Sequence, residues 1–399
     1  MTLDRSWYAR DARDWTCDPP DGGAGAFHRG LPGYAATPLV EMPALASELG
    51  VGRLFVKDES ARFDLRAFKY LGASWAGFRA VAARTGYAGP ATLDGLRAYL
   101  ASAAPGAGVS GGAVNGGGGA LTLITATDGN HGRAVARTAR LLGLPARVYV
   151  PKGVPDVVID RINAEGAVLT VVVADYDGAV MAARADADAD AGGMLIQDTA
   201  WDGYEQVPSW IVEGYETLFA EIDAQLAAAG AAAFGGAAAG AGLVSVPVGV
   251  GSLAQAAVAH YRSPGLPLPE RPLLLSVEPD TAACVLRSLA EGALASVPTA
   301  ATVMNGLNCG TPSSIAWPYL RGGLDAAIAV TDADARDAVA ALASGGVGAG
   351  PSGAAGLAGL RAALTGAGAA SRRRDLGLDA GVPPVVVCLS TEGPLGAAQ

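Results

Sequence analysis

From about residue 50 onward, short β-branched, apolar runs alternate with segments of helical length and period, and this alternation constrains the chain more than any other feature. Strand–helix repetition of this kind builds a mainly parallel sheet with helices laid against it. The runs at 54–57, 121–127, 147–151, 168–174, 194–197, 243–248, 273–277, 327–330 and 385–389 read as strands. Several are apolar throughout, as strands covered on both faces must be. Helices are expected at 132–142, 155–165, 208–229 and 253–262, each with a cap or breaker at one end. The expected fold class is therefore α/β: an open, mostly parallel twisted sheet with helices on both faces. A smaller inserted α/β domain is expected at 81–184, with 1–80 and 185–399 forming the larger one. Segments 101–120, 227–242 and 360–370 are rich in Gly and Ala and read as surface loops or padded helix ends, because such sequence buries little.

Charge narrows the function. With 38 acidic against 28 basic side chains and the Lys and Arg scattered, the net charge of −10 argues against a nucleic-acid partner. The uncharged stretches 101–127 and 225–261 are Gly- and Ala-dominated and broken by Pro, whereas a membrane span needs about 20 strongly apolar residues. No membrane partner is expected. The first residues carry charge where a secretory signal would be apolar, so the cytoplasm is the expected compartment. Four cysteines without C-x-x-C spacing and three histidines give no expected metal site.

Four stretches carry chemistry. In the first, Arg62 to Gly72, a strand gives way to a helix with apolar positions at Phe68, Leu71, Trp75 and Phe78, and Lys69 falls off that stripe. It reads either as a solvated helix lysine or as a desolvated amine able to form a Schiff base and then act as a base. The second, Thr125 to Gly132, joins an apolar strand to a helix. Such a turn presents free backbone N–H groups and suits a carboxylate or phosphate; Asp128 and Asn130 are equally at home there as capping residues.

The third stretch, Val246 to Leu253, is again strand, glycine turn and helix. It resembles a phosphate cradle more than a dinucleotide fingerprint, because Ala254 stands where a third glycine belongs. The Gly/Ala variant keeps a nicotinamide-binding alternative open, with Glu278 at the end of the next strand as its acid. The fourth is the last strand, ending in Ser390 and Thr391, hydroxyls at the carboxyl end where open α/β sheets bind ligands; an ordinary turn explains them as well.

In this chain order the four stretches resemble the tryptophan synthase β-type (fold type II) pyridoxal-phosphate enzymes. The resemblance is closer to the diaminopropionate ammonia-lyases, through Phe68-Lys69, the run Ala-Thr-Asp-Gly-Asn-His-Gly at 126–132, Gln-Asp-Thr-Ala-Trp at 197–201, Gly-Leu-Asn-Cys-Gly at 306–310 and Ser-Thr-Glu-Gly at 390–393. It covers about residues 30 to 393. It implies pyridoxal 5'-phosphate as cofactor, with Lys69 as Schiff-base lysine and base for the L-amino acid and Asp128 as base for the D-isomer. For that, Asp128 must be near the α-proton with its pKa raised by burial. Asn130 would bond the ring's phenolic oxygen. Gly249, Val250, Gly251 and Ser252 would hold the phosphate, and Ser390 or Thr391 would meet the ring nitrogen. Thr127 and Gly129 would help grip the substrate carboxylate, and His131 would bind the substrate beside them. Asp198 would approach the β-amino group and favour diaminopropionate over serine.

The implied reaction is α,β-elimination: 2,3-diaminopropionate loses its β-amine as ammonia, and the released aminoacrylate hydrolyses to pyruvate and a second ammonia. The family also suggests a homodimer. Cys284 and Cys309 stand where some members form a disulfide; two buried thiols are the reading favoured for a cytoplasmic protein. Three alternatives stay open. One is another β-eliminating or β-replacing pyridoxal-phosphate lyase, such as a serine/threonine dehydratase. The others are a nicotinamide-dependent dehydrogenase and a non-catalytic pyridoxal-phosphate carrier.

Overall fold

The computed structural model describes residues 5–9, 11–20, 22–102, 121–230, 240–378 and 383–395. In chain order its strands are β1 (Ser6–Tyr8), β2 (Leu39–Glu41), β3 (Arg53–Asp58), β4 (Thr122–Ala126), β5 (Ala146–Pro151), β6 (Val168–Val172), β7 (Gly193–Leu195), β8 (Leu243–Pro247), β9 (Leu273–Pro279), β10 (Ala326–Val330) and β11 (Val385–Ser390). The principal helices are α1 (Lys69–Thr85), α2 (Asn130–Leu142), α3 (Gln206–Ala228), α4 (Ser252–Tyr261), α5 (Cys284–Glu291) and α6 (Pro351–Leu364).

Contacts divide the chain into two compact units. The first is Met1–Pro20, Ala36–Phe68 and Glu216–Pro394; the second is Asp21–Ala35, Lys69–Tyr215 and Leu395–Gln399. The second unit differs from the expected 81–184. Its main segment runs from Lys69 to Tyr215, and it takes in α1, which packs along α2.

The first unit holds a seven-stranded sheet in the order β1-β10-β9-β8-β11-β3-β2. Its five inner strands run parallel, and β1 and β2 close the edges antiparallel. Sequence reading misses both edge strands, since three residues are too few to show a period. Every residue of β8, β9, β10 and β11 is buried, as helices on both faces of a parallel sheet require. Burying each Val or Leu of this core, such as Leu243, Leu275, Val277 and Val386, contributes about 1.5–3 kcal/mol relative to exposure.

The reading of 360–370 as poorly buried needs correction for 360–364, whereas 366–368 and 370 are exposed. Leu360, Ala363 and Leu364 are buried in the last turns of α6, which packs on β8, β9, β10 and β11. The reason is a side-chain-free face at Gly353, Gly356 and Gly359. A Cβ at 356 would lie 3.0 Å from Cys388 Sγ and from Leu389 O, and one at 359 would lie 2.2 Å from a Val277 methyl. Sequence that looks featureless therefore buries backbone against the sheet. Of the other Gly/Ala-rich segments, 103–120 and 231–239 lie outside the described residues.

The second unit has a four-stranded, all-parallel sheet in the order β6-β5-β4-β7. β4 is buried along its length, while β6 is an edge strand with Val168 and Val171 exposed. Among the described residues no helix is long and apolar enough to cross a membrane.

Candidate active site

In the second unit, Lys69 is the first residue of α1, and Phe68, Leu71, Trp75 and Phe78 are buried as their spacing predicts. The helix is pinned at its first turn. A Cβ at Gly72 would lie 2.6 Å from the Tyr215 ring and 2.7 Å from an Ile211 methyl, and one at Gly214 would lie 2.5 Å from Leu71 O. Two glycines thus let α1 and the N-terminal part of α3 cross almost backbone to backbone.

The Lys69 ammonium donates to Asp198 Oδ2 at 2.5 Å, and the Lys69 side chain is 21% exposed against 6% for Asp198. Burial pushes the Asp198 carboxyl upward, but the Lys69 charge and then His131 outweigh it and bring it to about 2. Asp198 is therefore a carboxylate at any working pH. His131 is buried; its Nε2 donates to Ile196 O at 2.7 Å, and its Nδ1 stands 3.9 Å from Asp198 Oδ2. Burial above all holds the imidazole below its ordinary pKa, so the ring is neutral at pH 7. The Ile196 bond then puts its one proton on Nε2. Nδ1 has no hydrogen-bond partner among the described residues.

Gln197 orients this group. Its Oε1 accepts from Ala126 N at 3.0 Å and Thr125 Oγ1 at 3.1 Å, and its Nε2 donates to Tyr176 Oη at 2.9 Å and toward Asp198 Oδ1 at 3.4 Å. Tyr204 accepts from Gln197 N and donates to Leu195 O, with the Trp201 ring stacked on it at 4.5 Å. Sequence reasoning assigned no role to Gln197, Tyr176 or Tyr204. The one available signal was Gln197 beside Asp198 in the 197–201 run.

Thr127 to Asn130 turn from β4 into α2. Thr127 is buried and its Oγ1 accepts from Gly129 N at 2.9 Å, while Asp128, Gly129 and Asn130 are half-buried. A Cβ at Gly132 would lie 2.2 Å from Thr127 Cγ2, so glycine at 132 lets α2 begin against the strand end. The thirteen-residue helix directs its N-terminal N–H groups at this turn, which suits an anion.

In the first unit, Gly249 to Ser252 lead from β8 into α4. Gly251 has φ +97°, a Cβ at 249 would lie 3.0 Å from Cys309 Sγ, and Ser252 is buried. The loop is thus a backbone cradle at a helix N-terminus. Ser390 Oγ, at the end of β11, is fully buried and has no hydrogen-bond partner among the described residues. Thr391 is also buried, with its carbonyl accepting from Phe68 N at 3.2 Å. An anion cradle and an unused buried hydroxyl fit the phosphate and ring nitrogen of the implied cofactor. Cys284 and Cys309 form no disulfide, and the first is buried and the second half-buried. Glu278 does not serve as a ribose reader: it is fully buried, its two oxygens accept from Val285 N and Leu286 N at the start of α5, and burial raises its carboxyl to about 8. The nicotinamide-binding alternative loses its acid. Among the described residues no group of three or more His, Cys, Asp and Glu is placed to hold a metal ion.

Comparison with known proteins agrees with this chemistry. A family model described as pyridoxal-phosphate dependent enzyme matches residues 31–373. A diaminopropionate ammonia-lyase of Salmonella typhimurium is 36% identical over 322 residues, which is 77% of this chain and 71% of the relative. The crystal structure of the Escherichia coli diaminopropionate ammonia-lyase with an aminoacrylate-PLP azomethine reaction intermediate matches at TM-score 0.78 and 30% identity, covering 99% of this chain and 96% of that one. Maize serine racemase, at 20% identity and TM-score 0.67 over 95% of this chain and 94% of its own, shares the fold.

Proposed function

This chain belongs to the pyridoxal-phosphate dependent enzymes and, within them, to the diaminopropionate ammonia-lyases, and from that membership we propose that it eliminates ammonia from 2,3-diaminopropionate to give pyruvate and a second ammonia. Pyridoxal 5'-phosphate, when bound, supplies an electron sink for the carbanion at the substrate α-carbon. Lys69 would hold it through Nζ and would take the α-proton of the L-isomer. Asp128 takes that of the D-isomer. Asn130 bonds the phenolic oxygen, and Gly249, Val250, Gly251 and Ser252 take the phosphate. Of the two candidate hydroxyls, Ser390 is the one we assign to the ring nitrogen, because its oxygen is otherwise unused. Thr127 and Gly129 hold the substrate carboxylate. His131, which is buried, acts on the substrate through Asp198. We take the enzyme to be a cytoplasmic homodimer, as its family resemblance suggests.

The observation that carries this reading is the Lys69–Asp198 pair. A Lys69 amine that would hold the cofactor, or would stand neutral as a base, would not serve Asp198 as an ammonium partner. A buried carboxylate without a cation is costly. The β-ammonium of diaminopropionate restores the pairing, whereas the hydroxyl of serine does not. Pyruvate release from D- and L-2,3-diaminopropionate, measured beside D- and L-serine, tests the proposal; a protein that releases pyruvate from serine as fast as from diaminopropionate contradicts it.

A further inference from the structure

A buried charge cluster lies behind the segment that delivers Lys69. The Arg62 guanidinium is fully buried and held from two sides. Nε and Nη2 donate to Glu59 at 2.8 and 2.7 Å, and Nη1 and Nη2 donate to Glu221 at 2.7 Å each. Thr37 Oγ1 donates to Glu59 Oε1 at 2.5 Å and accepts from Arg62 Nη2 at 3.0 Å. Lys57 Nζ, also fully buried, donates to Glu221 Oε2 at 2.7 Å and to Thr37 O and Gln225 Oε1 at 2.8 Å each. Lys57 and Arg62 thus balance Glu59 and Glu221. Such clusters add little stability over apolar side chains of the same volume. What this one supplies is a fixed geometry.

Directly after Arg62 come three non-glycine residues in the left-handed region: Phe63 at φ 49°, Asp64 at 57° and Arg66 at 65°. L-residues avoid this conformation, and it persists only where the surroundings over-determine it. The cluster fixes one end of the turn. The other end is joined to the chain leaving β11: Gly393 N donates to Arg66 O at 2.8 Å, Phe68 N donates to Thr391 O at 3.2 Å, and Ala67 bridges Glu392 antiparallel. Phe63, Leu65, Ala67 and Phe68 are buried between these anchors, and the next residue is Lys69.

We propose that Arg62 and Glu221 are positioning residues. With Lys57 and Glu59 they clamp the left-handed turn at 63–66 and so fix the point from which the Lys69 side chain extends. The amine sits at the end of a flexible four-carbon stem, so its reach can be controlled only by placing its backbone. The inference rests on the reading that Lys69 carries the cofactor.

The test uses Arg62→Lys, which keeps the charge but not the double fork, and the double variant Asp64→Gly/Arg66→Gly, which accepts the same φ without strain and leaves the cluster intact. In cofactor-free protein, amide exchange at residues 65–68 is read by mass spectrometry. Pyridoxal phosphate is then added, growth of the lysine-bound visible band is followed, and kcat and KM for diaminopropionate are measured. The glycine variant is expected to melt at or above the wild-type temperature, with faster exchange. Band growth and kcat should fall by about 10- to 100-fold, the scale of a displacement near 1 Å, while KM changes little. Arg62→Lys should melt lower, with the same faster exchange and the same fall in band growth and kcat. If either variant folds and keeps wild-type exchange or wild-type kcat, the positioning role is overturned. Should Arg62→Lys not fold, the glycine variant decides. A wild type that forms no lysine-bound band overturns the function reading and this inference with it; a normal wild type beside unaltered variants overturns the positioning alone.

Discussion

The Lys69 ammonium and the Asp198 carboxylate meet at 2.5 Å, with Asp198 buried and its carboxyl held at about 2. Removing that negative charge should change substrate choice. Asp198→Asn is expected to lower kcat/KM for diaminopropionate by about 10- to 1,000-fold, the cost of truncating one member of a buried charge pair, and to lower it for serine much less. Steady-state kinetics on both substrates checks this. An unchanged ratio between them would mean that Asp198 does not meet the β-amine. The pair also carries a pH signature. A depressed carboxyl adds stability that is fully present above its unfolded value of 3.8 and is lost as pH falls toward about 2. The stability gap between wild type and Asp198→Asn should therefore be flat from pH 7 to about 5 and close below about 4.

Asp128 is expected to act on one enantiomer. Asp128→Asn should reduce turnover of D-2,3-diaminopropionate by about 100- to 10,000-fold, the usual worth of a general base, and turnover of the L-isomer far less. Single-enantiomer pyruvate assays read the difference. Equal losses would make Asp128 a capping residue of the turn into α2.

Ser390 offers a separation of folding from cofactor chemistry. Its hydroxyl is buried without a partner among the described residues. Ser390→Ala should then leave the melting temperature of the cofactor-free protein unchanged or raised, while the visible spectrum of the loaded protein shifts. A lowered apo melting temperature with an unchanged spectrum would place the hydroxyl outside the cofactor's reach.

His260 provides a pH prediction away from this chemistry. Its ring meets Glu216 Oε1 and Asp223 Oδ2 at 2.7 Å each. Burial lowers its pKa, but the two carboxylates outweigh burial and raise it to about 9. A raised histidine pKa stabilises fully below the unfolded value of 6.5, and that contribution disappears as pH rises through about 9. Discounted for the partly exposed Asp223, the contribution is about 1–3 kcal/mol. Denaturant melts of wild type and His260→Gln should differ by that amount at pH 6 and converge by about pH 10.

Gly132→Ala is expected to destabilise the protein by about 1–3 kcal/mol, because the new methyl overlaps Thr127 Cγ2 at 2.2 Å and Val148 Cγ1 at 2.9 Å. Thermal denaturation measures this directly.

Much of the architecture was legible because the inner strands are long, apolar runs punctuated by helices. β1 and β2 were not, since short antiparallel edges carry no period of their own. α6 was hidden for the opposite reason: the glycines that let it approach the sheet erase the apolar stripe that reveals a helix. At the site, Thr127 to Asn130 and Gly249 to Ser252 stand at strand–helix junctions, Lys69 at a helix start and Ser390 at a strand end, and such positions show in sequence. The partners of Gln197 do not, because Ala126, Tyr176 and Tyr204 reach it only once β4 and β7 lie side by side. Glu278 misled for the same reason. Its strand-end position was visible, but its turn toward the α5 N-terminus was not.

The bare face of α6 carries an implication for how this chain can vary over time. At 353, 356 and 359 the space beyond Cα is already taken by Glu392 backbone, Cys388 with Leu389, and Val277. Every third codon along that face is therefore closed to all other amino acids, while the codons between answer only to ordinary packing. A saturation map of 351–364 should show intolerance with a period of three, written by the sheet beneath rather than by the chemistry the enzyme performs.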